Sequence, residues 1–400
     1  MKRLTGKVGA IVKTWGPAWL VMIADVDAAS AITAADSGAQ YGTKLIWFLM
    51  LLVIPLYVIQ EVAGRVGAVT GKGLGELIRQ NYSRRIAVLA AVPMALVDII
   101  SYIVEYTGIA VGFQMMGVSP WISVPFAFLA HVLVVYNRKY AEAEKPLLFF
   151  SVIFSVVWII AAFLTARHGI VVTPFYFSTS PDFIFMLAAN IGAVIMPFML
   201  FYQVSATAEK GTDKGNVWAV RFETLIGALF SELIMVAIAI SAIGISAGNL
   251  DFTSPKVLSQ SLTSVAGHFA PYVFGVGLIT ASFIALIVIS LGSSWGVTEA
   301  MGWGKKNWFK VYLIESIPAV LIPLFSFNLI KLALNLMVLQ IVVLIAPAII
   351  LGAIASNKKL MGDFRLKGFN KLVYWAFIAL IFATGIISML PFFGIKVGSS

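Results

Sequence analysis

Asp25 and Asp27 stand in the run GPAWLVMIADVDAASAITAAD (residues 16–36), immediately after the apolar stretch from Trp19 to Ile23. A carboxylate placed where the middle of a bilayer would be costs roughly 3 kcal/mol or more unless it faces a cavity, a cation or a proton path. The chemistry open to such a group is therefore cation binding or proton carriage. The small residues Ala28, Ala29, Ser30 and Ala31 shield the backbone poorly. They are expected to let the helix unwind and to present carbonyl oxygens beside Asp27.

A second stretch with the same potential is DFIFMLAANIGAVIMPFMLFYQVSA (182–206). Gly192 and Ala193 expose backbone, and Pro197 removes a donor and clashes with the preceding turn. A helix break is predicted between Ala193 and Pro197. Met196 stands at that break with a polarisable thioether. A methionine in an apolar helix is ordinarily packing, but beside a break that matches one carrying an Asp it becomes a candidate ligand.

Three further acids interrupt apolar runs. Asp98 and Glu105 are seven residues apart in AVPMALVDIISYIVEYTGIAVGF, so they share a helical face, with Ser101 and Tyr102 close to that stripe. Asp98 is read either as a cap or pairing group near a helix end or as part of an ion path. Glu105 lies deeper and is read as a group for ion or proton movement. Glu232 stands well inside the seventh apolar run and divides between a paired structural acid and the same path. Glu299 and Glu315 lie towards a connection bearing Lys305, Lys306 and Lys310, their simplest partners.

These residues need elements to hold them. With 60% hydrophobic and 12% charged residues among 400, and a mean hydropathy of +0.96, the chain is no water-soluble globule. Its apolar runs fall at about 15–38, 43–64, 86–116, 118–136, 146–166, 183–208, 218–246, 270–300, 311–328, 330–354 and 370–393. At about twenty residues per crossing this is an all-α integral membrane protein of eleven transmembrane helices. It is read as a single integral membrane domain over 1–400. Gly71 to Arg79 reads as a short amphipathic helix at the membrane surface. The first run lacks a clear cleavage site, so a signal peptide is not expected.

The net charge of +10 is a topology signal rather than a nucleic-acid footprint. With the N-terminus in the cytoplasm, 23 of the 28 Lys and Arg residues fall on the inner side, and only Lys44, Arg167, Lys256, Lys331 and Lys396 fall outside. The bias predicts N-terminus inside, C-terminus outside, in a cell (inner or plasma) membrane. The absence of cysteine excludes disulfides and thiolate ligands, and three histidines (His131, His168, His268) make a polyhistidine centre untenable. Neither a nucleophile–base pairing nor a histidine metal motif is present, so no enzymatic activity and no cofactor are expected. The expected partners are a transported ion and the lipid bilayer, with the chain monomeric.

Broken helices at runs one and six, five apart, fit a pair of inverted five-helix repeats (15–166 and 183–354) plus one additional helix (370–393), with substrate held between the breaks.

Together with these features, several local motifs carry a resemblance. They are the GPA opening at Gly16–Ala18, GRVGAVTGKGLGELIR at 64–79, Glu105 followed by Gly108 and Gly117, GAVIMP at 192–197, and SNKKLMGDF at 356–364. The chain resembles the Nramp family of divalent-metal transporters over most of its length, which implies a LeuT-like fold. The family's span-one motif is Asp-Pro-Gly-Asn, read here as Asp27, Ala28, Ala29, Ser30. Its span-six motif, Gly-Ala-x-x-Met-Pro-His, is matched from Gly192 to Pro197, with Phe198 replacing the histidine. A second family histidine becomes Gln203. The resemblance implies Asp27, the Ala193 carbonyl and Met196 as metal ligands, with Ser30 at the position of an asparagine amide.

The departures concern protons more than metal. Both span-six histidines are replaced, Tyr102 stands where the family has an acid, and VYLIESIP in span nine has no arginine. This pattern implies a divergent branch with proton coupling altered, absent, or rerouted through Glu105 and Glu232, with Asp98 and Gln203 as further candidates. A thioether favours transition metals over alkaline earths, so Mn²⁺ or Fe²⁺ is favoured. Loss of the asparagine keeps a Mg²⁺ transporter as an alternative. An amino-acid symporter on the same fold is a third reading, weakened by the fixed anion at Asp27. A membrane sensor is a fourth, and would need an output domain outside the spans.

Overall fold

The computed structural model describes residues 9, 11, 13–136, 140–166, 173–245, 259–260, 263, 267–324 and 329–390. Arg167 and His168, the tail beyond 390, and several basic residues used to orient the chain (Lys2, Arg3, Lys7, Arg138, Lys139, Lys256 and Lys396) lie outside the described residues.

Helices account for the architecture. In order they are α1 (Pro17–Asp25), α2 (Ala28–Tyr41), α3 (Ile46–Thr70), α4 (Leu74–Asn81), α5 (Arg84–Met115), α6 (Pro120–Tyr136), α7 (Tyr140–Ala166) and α8 (Pro181–Val194). There follow α9 (Pro197–Glu209), α10 (Val217–Ala242), α11 (Ala270–Met301), α12 (Trp308–Leu321), α13 (Leu329–Ser356), α14 (Lys358–Met361) and α15 (Gly368–Met389). Among the described residues, seven helical stretches are long and apolar enough to cross a membrane, and α6 and part of α7 are shorter apolar helices. In a bilayer every backbone polar group must find an internal partner, which is why the spanning elements are helices.

One apolar cluster runs through the bundle. Its centre is α11, packed along α5, α7 and α9. Close approach there depends on small residues. A Cβ on Gly292 would lie 2.7 Å from the Phe198 carbonyl oxygen, and one on Gly112 would lie 2.7 Å from that of Gly275. This is the small-residue packing that brings membrane helices together. The last helix, α15, lies at the periphery against α13, with Leu372 and Leu380 on its exposed side.

The N-terminus of α1 is capped from another helix. Glu223 of α10 accepts hydrogen bonds from the backbone N–H of Gly16 (2.7 Å) and Trp19 (2.9 Å) through Oε1. A carboxylate satisfies the unpaired amides of a helix start and complements its dipole. The short helix predicted near 71–79 is α4, which buries Leu74, Leu77 and Ile78.

Candidate metal site at the two helix breaks

Helix α1 ends at Asp25 and α2 begins at Ala28, so the chain is interrupted at Val26 and Asp27. The expectation that residues 28–31 unwind is not met. They form the first turn of α2, because Asp27 caps it: its Oδ1 accepts the Ser30 N–H at 2.7 Å. Asp is among the best residues at this position, where a side-chain oxygen replaces a missing helical acceptor. The break is therefore two residues long.

The second break falls where the Pro197 argument put it. Helix α8 ends at Val194 and α9 starts with Pro197, leaving Ile195 and Met196 extended. Pro197 holds the first helical position of α9, where its missing N–H costs nothing. Met196 is fully buried, and its N–H points to the sulfur of Met199 at 3.3 Å.

Ser30 joins the two breaks. Its hydroxyl donates to the Ala193 carbonyl oxygen at 2.9 Å and lies 4.0 Å from the sulfur of Met337 on α13. Gly192 makes this possible, since a Cβ there would lie 1.9 Å from the Met337 carbonyl oxygen. Asp27, Ser30, Ala193 and Met196, the four metal-site residues implied by the resemblance, thus lie on two interrupted helices bound to each other. Asp27 is fully buried, and its Oδ2 has no hydrogen-bond partner. A buried carboxylate oxygen left in that state is an acceptor for a cation or a proton.

Glu105 of α5 reaches the same place. Its Oε2 accepts the Ala28 N–H at 3.0 Å, and it interacts electrostatically with Asp27. Its Oε1 has no partner. Two carboxylates therefore converge on the first amides of α2.

The other candidates are distributed more widely. Glu232 lies beside Asp25 at the end of α1, and Ser231 donates to Asp25 Oδ2 at 2.9 Å. Asp98 is in the interior of α5, fully buried, rather than near a helix end. It faces Glu315 of α12, which accepts a 3.1 Å bond from Ser293. Gln203 is buried against Gly64 of α3, with neither amide atom hydrogen-bonded. Glu299 accepts from the Ser205 hydroxyl (2.9 Å) and the Gly75 N–H (3.1 Å), partners within the bundle.

Two features escaped the sequence. Met337 gives no local signal, being one methionine in an apolar helix. His131, in the apolar run of α6, contacts the Tyr106 hydroxyl (2.8 Å) and the Ser290 hydroxyl (2.7 Å), with Tyr102 also donating to Ser290 (3.2 Å). A lone histidine midway along an apolar run, opposite a helix bearing two tyrosines, was the available clue.

Comparison with known proteins decides the relationship. The family model described as "Natural resistance-associated macrophage protein-like" (Nramp) matches residues 18–391. The chain belongs to the Nramp family. This Nramp chain is 25% identical over 384 residues to the divalent metal cation transporter MntH of Klebsiella pneumoniae, covering 92% of this chain and 91% of that one. Its fold is similar to that of the Eremococcus coleocola manganese transporter (TM-score 0.79, 17% identity, covering 96% of this chain and 88% of that one). A more distant fold likeness is to MhsT in complex with L-phenylalanine (TM-score 0.63, 12% identity, covering 96% and 98%). The expected resemblance and LeuT-like fold are thereby established for this Nramp protein, a member of a family of metal-ion transporters rather than enzymes.

Proposed function

We propose that this protein is a secondary transporter moving a divalent metal cation, Mn²⁺ or Fe²⁺ in preference to alkaline earths, across the membrane by alternating access. The observation that carries the proposal is the unpartnered Oδ2 of Asp27, beside the bond by which Ser30, in the first turn after the first break, holds Ala193 at the end of α8 before the second. Asp27 supplies the anionic oxygen, Ala193 a carbonyl and Met196 a thioether. The mixed hard and soft donor set discriminates against Ca²⁺ and Mg²⁺. The similarity to the divalent metal cation transporter MntH and to the Eremococcus coleocola manganese transporter supports the same substrate class.

In this reading eleven spans make two inverted five-helix repeats, with α1–α2 and α8–α9 as broken first helices and α15 as the addition. The basic-rich end of the bundle faces the cytoplasm, and the protein acts as a monomer in the cell membrane. Coupling to protons is altered from the family pattern, with Glu105 and Glu232 carrying the proton flux that remains.

Ser30 favours a second reading. Its hydroxyl already engages the Ala193 carbonyl, so fewer protein ligands are free for the ion. That suits Mg²⁺, which keeps several of its waters. An amino-acid substrate fits less well, because a buried Asp27 would repel its carboxylate. Uptake of Mn²⁺, Mg²⁺, Ca²⁺ and Cd²⁺ into proteoliposomes tests these alternatives together. Preference for Mn²⁺ and Cd²⁺ supports the first reading, and preference for Mg²⁺ supports the second.

A further inference from the structure

A cavity of about 220 Å³ lies between α3, α10 and α15, away from both breaks. Its walls include Tyr57, Glu61, Arg65, Arg221, Leu366 and Asn370. Glu61 is held by two guanidinium groups at once: Arg65 Nη2 at 2.9 Å and Arg221 Nε at 2.7 Å. Two cations against one carboxylate leave the cluster with a net positive charge.

The arrangement is incomplete as it stands. Arg65 is 3% exposed and gives Nη1 to the Phe364 carbonyl (2.9 Å), yet its Nε has no partner. Arg221 has 43% of its side chain exposed. A buried guanidinium N–H without an acceptor is costly, and a charged acceptor repays it best.

The position of the cavity selects the kind of anion. Glu61 and Arg65 are in the last turns of α3, Arg221 is at the start of α10, and Asn370 is at the start of α15. All lie towards the helix ends whose connections carry Lys72, Lys214, Arg365 and Lys367. One to two turns deeper on the same helix faces come apolar residues open to the surroundings: Leu225, four residues after Arg221, and Ile54, seven before Glu61. A phosphate above and hydrocarbon below is the chemistry of a phospholipid.

We infer that this cavity binds the phosphate of an anionic phospholipid, with Arg65 and Arg221 as its donors and the α3–α10 face receiving the acyl chains. Basic pockets between helices on the cytoplasmic side are suited to anionic headgroups. The extra helix α15 closes the third wall, which gives it a part in the site through Asn370. Assigning the site to the cytoplasmic leaflet rests on the orientation proposed above. The lipid measurement itself involves no metal, so failure of the metal site would leave it standing, and the reverse holds.

Native mass spectrometry of the full chain in detergent tests this with phosphatidylglycerol and phosphatidylcholine of matched acyl chains. Phosphatidylglycerol is expected to be retained preferentially. Arg221→Gln, and separately Asn370→Asp at the exposed rim, should each weaken that retention roughly fivefold while leaving phosphatidylcholine unchanged. Arg221→Gln leaves Glu61 with one partner, so Asn370→Asp, which disturbs no bond of the cluster, provides the reading should Arg221→Gln not fold. Equal retention of the two lipids, or undiminished phosphatidylglycerol binding by the folded variants, overturns the inference. Displacement of the lipid by millimolar inorganic phosphate overturns the lipid assignment in favour of a free-anion site.

Discussion

The Ser30 hydroxyl donates to the Ala193 carbonyl oxygen across 2.9 Å, binding the two interrupted helices at their breaks. An ion that uses Ala193 as a ligand must replace this bond. The contact is therefore both a structural tie and a competitor of the substrate.

Removing the hydroxyl separates these roles. Ser30→Ala is expected to lower stability by about 1 kcal/mol, the usual net worth of a hydrogen bond, with Mn²⁺ uptake retained. Thermal unfolding in detergent and proteoliposome uptake check the two halves. Loss of uptake without loss of stability would make Ser30 a ligand the ion cannot do without.

Met196 is expected to set selectivity more than rate. Replacing its thioether by the hydrocarbon of Met196→Leu preserves volume closely. The Mn²⁺ to Ca²⁺ uptake ratio should fall, with Ca²⁺ uptake holding or rising. An unchanged ratio would show that the sulfur does not touch the ion.

Glu105 holds the Ala28 amide and faces Asp27, whereas Glu232 faces Asp25. The combined Glu105→Gln and Glu232→Gln variant should still take up Mn²⁺ while internal acidification disappears. Simultaneous recording of metal entry and internal pH checks this. Acidification equal to that of the parent protein would remove both acids from the proton path.

Gly192 permits contact that no side chain allows, because its Cβ would meet the Met337 backbone. Backbone cannot retract as a flexible side chain can. Gly192→Ala should therefore destabilise the protein by about 1–3 kcal/mol, read as a lowered unfolding midpoint. An unchanged midpoint would mean that α8 and α13 move apart freely.

The chain contains no cysteine, so single cysteines report orientation cleanly. Thr179→Cys should react with a membrane-impermeant maleimide added to intact cells, and Lys214→Cys only after permeabilisation. The opposite pattern would invert the proposed topology.

Much of this was legible in the sequence for identifiable reasons. Pro197 cannot continue a helix, so the second break was placed correctly. The acids at 27 and 105 stood out because ionisable groups are rare in apolar runs. The first break was less legible. Small residues at 28–31 suggested unwinding, but capping by Asp27 starts a helix there, and the cap depends on one local hydrogen bond. Asp98 divided between an end or pairing group and part of an ion path, because its surroundings depend on how α5 packs against α12. The approach of Glu232 to Asp25 and of Met337 to Ser30 depends on which helices meet, which no single run of residues encodes.

Diffraction at the manganese absorption edge, from crystals grown with Mn²⁺, bears most directly on the central claim. The account predicts one anomalous peak within coordination distance of both the Asp27 carboxylate and the Met196 sulfur, absent from Asp27→Ala crystals prepared in the same way. A peak at Asp25 and Glu232 instead, or one that persists between the breaks without the Asp27 carboxylate, would contradict it.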